Sequence, residues 1–160
     1  MKNKGFTFIE VMIAVFILGL AVVALVSANA AFTQVNGAGV QLATDEFLMQ
    51  QIKEMTALLS VVDPQTGTTA WGAETGETSL AAYDDLDDFD GRSFSPPINS
   101  EGTVMNGYGN FTQLVTVENV RTNDFSLIAS HHSTPFVRVT VDILLNGEVL
   151  SSASWLRAQQ

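Results

Sequence analysis

The stretch Phe6–Val26, FTFIEVMIAVFILGLAVVALV, decides the fold. It is 21 residues long and carries a single charge, Glu10. A helix needs roughly 20 apolar residues to cross the hydrocarbon core of a bilayer, so this one is long enough. Lys2 and Lys4 precede it, and no basic residue follows until Lys53. The positive-inside rule then places the N-terminus in the cytoplasm and the remainder across the membrane. A secretory signal peptide is the alternative, with Ala28-Asn29-Ala30 as its small-residue cleavage site. Full membrane length and a carboxylate in the first turn both count against it. A mid-membrane carboxylate costs about 2.5–3.5 kcal/mol on insertion scales and is kept where it has a partner or a pathway.

Downstream of this stretch the helical pattern continues. Leu48, Ile52, Met55, Leu59 and Val62 recur at spacings of four and three, one face of an amphipathic helix. Lys53 and Glu54 fall off that face. Gly37 and Gly39 lie between the two halves, where they bend or loosen the helix. Asp63-Pro64 is the expected stop, because the residue before a proline disfavours helical geometry. At the far end of the chain Phe136–Ile143 alternates, with Val137, Val139, Val141 and Ile143 on one face. Asn146-Gly147 is a two-residue hairpin turn, and Glu148–Leu156 returns as the partner strand. The simplest register sets Ile143 opposite Leu150 and Val137 opposite Leu156, so that the apolar faces coincide. Phe111–Val117 is a further strand and Phe125–Ala129 a weaker one.

Composition narrows the function. Seven Lys+Arg against 17 Asp+Glu leave a net charge of -10, which phosphate backbones would repel, so no nucleic-acid partner is expected. There is no cysteine, which removes disulfides, thiolate metal sites and cysteine nucleophiles. His131 and His132 are the only imidazoles, and neighbours on an extended strand point to opposite faces, a poor chelating pair. They read as surface loop residues. No nucleophile elbow, phosphate loop or HExxH is present, so the chain does not read as an enzyme.

Lys4-Gly5-Phe6-Thr7-Phe8-Ile9-Glu10-Val11 resembles the N-terminal signature of type IV prepilins and type II secretion pseudopilins. The resemblance covers about residues 1–35. It implies that a prepilin peptidase cuts after Gly5 and methylates the new N-terminal Phe6, and that Glu10 serves subunit assembly. Cleavage leaves a cationic amine at Phe6, and Glu10 of one subunit would pair with Phe6 of its neighbour inside an apolar filament core. An unpaired carboxylate there would be costly, and the pair would set the axial register. The plainer alternative is that Glu10 reaches back to the lipid headgroups. The implied partners are the peptidase, other pilin or pseudopilin subunits and the inner membrane. The head would lie in the periplasm and the mature chain in a filament.

Two departures from major pilins favour a minor pilin or pseudopilin. Val26-Ser27-Ala28 stands where many carry a proline, and the chain has no cysteines to close a C-terminal loop.

The middle of the chain, residues 63–110, is rich in Gly, Pro, Ser, Thr and Asp and reads as loop. Trp71 is expected to pin it to the head. Asp84, Asp85, Asp87, Asp88 and Asp90 fall within seven residues. One reading is a solvated acidic loop whose Tyr83, Leu86 and Phe89 dip into the core. The other is a calcium site, since calcium takes clustered oxygen ligands, although the spacing is not that of an EF-hand. Residues 83–97, ending in Ser95-Pro96-Pro97, are similar to a stretch in minor subunits of the mannose-sensitive haemagglutinin type of pilus.

The expected architecture is α+β. A leader at 1–5 precedes a membrane or filament-core helix at 6–26 and an amphipathic continuation at 27–62. The acidic loop at 63–110 and an antiparallel sheet at 111–160 complete a pilin-like head. The expected function is that of a filament subunit. The alternative is a membrane-anchored calcium-binding or adhesive module.

Overall fold

A computed structural model describes residues 5–67 and 70–159. Lys2 and Lys4, which set the expected orientation, and residues 1–4 of the leader lie outside the described residues. The first element, α1, is one helix over Phe8–Thr56. It crosses the boundary between two compact units, Met1–Leu42 and Ala43–Gln160.

In the first unit α1 is long and apolar enough to cross a membrane, and none of its most apolar stretch is buried. Phe16, Leu18, Leu25 and Phe32 all stand exposed. The helix runs through Gly37 and Gly39 without a break.

In the second unit α1 turns amphipathic. Leu48 and Ile52 are fully buried, with Met49 beside them and Met55 half-buried against the same core. The helix stops at Thr56, short of the expected Asp63-Pro64. Thr56 Oγ1 donates back to the Ile52 carbonyl at 2.9 Å, a bond that competes with the helical ladder. The next bonds, Ala57 N to Glu54 O and Leu59 N to Thr56 O, are both tighter i to i−3 turns of 3.3 Å. Leu59 and Val62 therefore reach the core from an irregular segment rather than from a last helical turn.

Five antiparallel strands follow: β1 (Ser93–Phe94), β2 (Phe111–Arg121), β3 (Asp124–Ile128), β4 (Phe136–Leu145) and β5 (Glu148–Ala158). Their order is β1-β2-β4-β5, with β3 folding back on the end of β2. Val137, Val139, Val141 and Ile143 of β4 all face the core, as the alternation requires. Val115 and Val117 of β2 join them, and Leu86, Phe89 and Ile98 close the core from the long loop. Burying such side chains contributes about 1.5–3 kcal/mol each.

The β4–β5 turn has φ of 51° at Asn146 and 89° at Gly147, both left-handed as a type I′ turn requires. The register beyond it departs from the simple hairpin. Leu145 pairs with Glu148 and Leu144 with Val149, but Ile143 pairs with Ser151 and Val137 with Arg157. A bulge places Leu150 outside the ladder and moves every later residue of β5 by one. The expected pairs Ile143–Leu150 and Val137–Leu156 are thereby corrected. Leu150 and Leu156 are exposed, while Ala153 and Trp155 pack on the core.

Two polar side chains tie the layers of this unit together. Gln113, buried on β2, accepts from Ile98 N at 2.8 Å and donates to the carbonyls of Leu48 at 2.9 Å and Ile98 at 3.1 Å. Arg157 of β5 donates to the carbonyl of Thr56, the last residue of α1, and to that of Leu59 just beyond it. Neither residue was singled out by the sequence, where Gln113 interrupts an apolar strand and Arg157 reads as a polar tail. The whole is the α+β architecture expected of a pilin-like chain: a long N-terminal helix followed by a small antiparallel sheet.

Candidate functional site

The N-terminal residues form one candidate site. Thr7 caps α1, and it exchanges hydrogen bonds with Glu10. Thr7 N and Thr7 Oγ1 each donate to Glu10 Oε2 at 2.7 Å, and Glu10 N donates to Thr7 Oγ1 at 3.3 Å. This is the capping box of a Thr-x-x-Glu sequence, which satisfies two of the orphan amides at a helix start. Glu10 is thus held by its own chain at the helix entry, a role the sequence reading passed over along with Thr7. Phe6 is 88% exposed, and Gly5 ahead of it is exposed too. Among the described residues, a Cβ built at Gly5 would meet nothing within 4 Å.

The acidic loop forms a second candidate site. A parallel bridge between Ser60 and Asp85, with Leu86 N donating to Ser60 O at 3.0 Å, brings it to the segment after α1. Leu86 and Phe89 anchor it in the core, as their spacing predicts, and Tyr83 meets Phe89 edge-on at 5.3 Å. The aspartates between them do not point into water. Asp85, Asp87 and Asp88 are 1%, 2% and 0% exposed, which overturns the reading of a solvated acidic loop.

Backbone amides hold one oxygen of each in place. Asp85 Oδ1 accepts from the amides of Asp87 at 3.1 Å and Asp88 at 3.2 Å. Asp88 Oδ2 accepts from Asp84 N at 3.0 Å and Asp85 N at 3.4 Å. Asp87 Oδ2 accepts from Gly72 N at 3.3 Å.

Two groups of carboxylates converge here. Oxygens of Glu77, Asp84 and Asp88 lie within 4.8 Å of one another, as do oxygens of Asp63, Glu74 and Glu77. The structure therefore brings Asp84 and Asp88 together and leaves Asp90 out. Asp90 accepts instead from Trp71 Nε1 at 3.0 Å and from Val117 N at 2.9 Å, which pins the Trp71 loop to β2. Asp85 and Asp87 stand beside the clusters rather than in them. Asp63, Glu74 and Glu77 were missed, because they are distant in sequence from the aspartate run.

Asp63 shapes its own turn. The amides of Gln65 and Thr66 donate to its Oδ1, and Gly67 N donates to its carbonyl at 3.1 Å. The bond from Thr66 N holds the Asp63 carboxyl below its usual range. The bond from Glu74 N does the same for Glu77. Burial pushes the others up, Asp85 to about 8 and Asp88 to about 7, with Asp87 and Glu74 also raised.

His131 is exposed in the β3–β4 connection, as a surface loop residue should be, whereas His132 is not. Both lie against Trp71: His131 stacks on the indole at 4.1 Å and His132 meets it edge-on at 5.1 Å. His132 sits at φ 52°, its Nε2 bound to the Ala70 carbonyl and 3.5 Å from Asp87 Oδ2. Its side chain is largely covered. They fasten the Trp71 loop to the β3–β4 connection.

Residues 1–26 match the prokaryotic N-terminal methylation motif. No curated protein and no solved structure matches the chain. The motif supports a type IV pilin-like prepilin, a substrate of prepilin peptidase that assembles with other pilin subunits. Together with the long apolar helix it fits a single-pass, membrane-anchored protein. It suggests a structural protein rather than an enzyme.

Proposed function

We propose that this chain is a structural subunit, a minor pilin or pseudopilin, of a type IV pilus-like or type II secretion filament. The observation that carries the reading is the methylation motif at residues 1–26, running into a helix whose apolar side chains find no cover in their own unit. A bilayer covers such a helix before assembly, and neighbouring helices cover it afterwards. The peptidase cuts after Gly5 and methylates Phe6. The head stands in the periplasm while the helix is still in the inner membrane. The chain is the substrate of this chemistry and performs none itself.

Assembly gives Glu10 its second role. In the precursor the carboxylate sits in its capping box with Thr7. Cleavage creates an amine at Phe6, and a neighbour's amine is a stronger partner for a carboxylate in apolar surroundings than an amide is. Pairing Glu10 with Phe6 of the next subunit then fixes the axial offset between helices. The test is to express Glu10→Ala and Glu10→Gln variants in the native host, shear the cell surface and probe the filament fraction. Wild-type chain is expected there, and both variants are expected to remain in the membrane after normal cleavage. Variants that enter filaments as well as wild type would contradict the assembly role.

A further inference from the structure

Four buried carboxylate oxygens in the 63–90 segment share one arrangement. Glu74 Oε1 accepts from Thr66 Oγ1 at 3.0 Å, Asp84 Oδ2 from Gln65 Nε2 at 3.0 Å, and Asp85 Oδ1 and Asp88 Oδ2 from backbone amides. The other oxygen of each is Glu74 Oε2, Asp84 Oδ1, Asp85 Oδ2 or Asp88 Oδ1. All four are buried and, among the described residues, without a hydrogen-bond partner. Asp88 is 0% exposed, yet one of its oxygens goes unanswered. A buried carboxyl oxygen with no partner costs at least what a lost hydrogen bond does, and native structures answer such points with a proton, a water or an ion.

No basic side chain among the described residues supplies that partner. Among the described residues the only arginine–carboxylate pair joins Arg138 to Glu118. Arg92 donates to the Asp88 backbone carbonyl and lies over Tyr83, Arg157 caps α1, and Lys53 lies over Trp155. His132 reaches Asp87, outside both clusters.

We propose that Glu77, Asp84 and Asp88 form a calcium site, extended through the shared Glu77 to Asp63 and Glu74. The donors are all hard oxygens, which select magnesium, calcium or manganese over softer metals. Five carboxylates on irregular loops suit calcium, which takes six to eight oxygens in flexible geometry. Magnesium keeps most of its water and uses one or two carboxylates. Asp63, Glu74 and Glu77 of the extension line a recess of about 270 Å³. The ion would staple the Asp63–Gly67 turn, the Glu74–Glu77 turn and the Asp84–Asp88 turn into one body beside the end of α1. The site lies wholly in the second unit and does not depend on the filament reading.

The test uses the full chain in detergent, stripped with EGTA, melted with and without 1 mM calcium chloride, and titrated with calcium by calorimetry. Calcium is expected to raise the melting temperature by about 5 °C or more, with magnesium at the same concentration giving far less. Asp88→Asn and Glu77→Gln keep the side-chain volume and remove charge. Each is expected to fold without calcium at least as stably as the EGTA-stripped wild type and to lose the calcium response. No shift and no calorimetric binding in the wild type would overturn the site, as would variants that keep the full response. An equal shift with magnesium would overturn the assignment to calcium.

Discussion

The guanidinium of Arg157, near the end of the last strand, donates at 2.8 Å to the carbonyl of Thr56, the last residue of α1. A second nitrogen reaches the Leu59 carbonyl at 3.0 Å. A helix leaves its final carbonyls short of intrahelical donors, and here a side chain 101 residues away adds a charged donor to Thr56 O, which also accepts from Leu59 N. Arg157→Ala is expected to destabilise the chain by about 1–3 kcal/mol, the usual worth of hydrogen bonds from a charged donor. Arg157→Lys should recover only part of that, because an ammonium cannot present the same planar fork to two carbonyls. Urea unfolding midpoints of the two variants measure both effects.

Gln113 bonds to three backbone groups, the Leu48 carbonyl and the Ile98 amide and carbonyl. Gln113→Leu keeps the volume and fills the strand with the residue its pattern calls for. It is nevertheless expected to cost about 2–4 kcal/mol, because it strands a buried donor and acceptors at roughly 1–3 kcal/mol each. Thermal unfolding by circular dichroism would report it, and a neutral outcome would show that water replaces the amide.

The β5 bulge predicts a contrast between two apolar residues that the simple hairpin would make neighbours. Leu150 is exposed, so Leu150→Ser is expected to change stability by no more than about 0.5 kcal/mol. Ile143 is fully buried, so Ile143→Ala is expected to cost about 2–5 kcal/mol. Large losses from both would restore the unbulged register.

Asp90 separates the pinning of the loop from the binding of an ion. Its two oxygens are taken by Trp71 Nε1 and Val117 N. Asp90→Ala should lower the melting temperature and shift the tryptophan emission, while leaving the increment produced by calcium intact. Loss of the calcium increment in this variant would place Asp90 among the ligands.

These residues show which parts of the fold can be read from sequence and which cannot. The membrane-length helix, the valine alternation of β4 and the Asn146-Gly147 turn are local patterns, and periodicity or turn chemistry reveals them directly. The bulge at Leu150 is not local: it follows from placing Trp155 in the core and Arg157 under the helix end, both decided by tertiary contacts. The end of α1 at Thr56 has the same origin, since Asp63-Pro64 offered the stronger local stop. In the acidic loop the sequence shows a run of aspartates but not their sorting. Asp84 and Asp88 join Glu77, Asp90 turns to Trp71, and Glu74 and Asp63 arrive from turns 10 and 21 residues upstream of Asp84. The burial of Asp85, Asp87 and Asp88 was legible only indirectly, through the Tyr83, Leu86 and Phe89 spacing that pulls the run inward. At the N-terminus the motif was legible in full, and the Thr7–Glu10 capping box could have been read from the same residues.

The central claim is that this chain is a prepilin processed between Gly5 and Phe6. The most direct test is mass spectrometry of the N-terminal peptide of the protein recovered from membranes of its native host. A peptide beginning at N-methylated Phe6 is the predicted result. An intact Met1, or a start near Ala31 after a conventional signal-peptide cut, would contradict it.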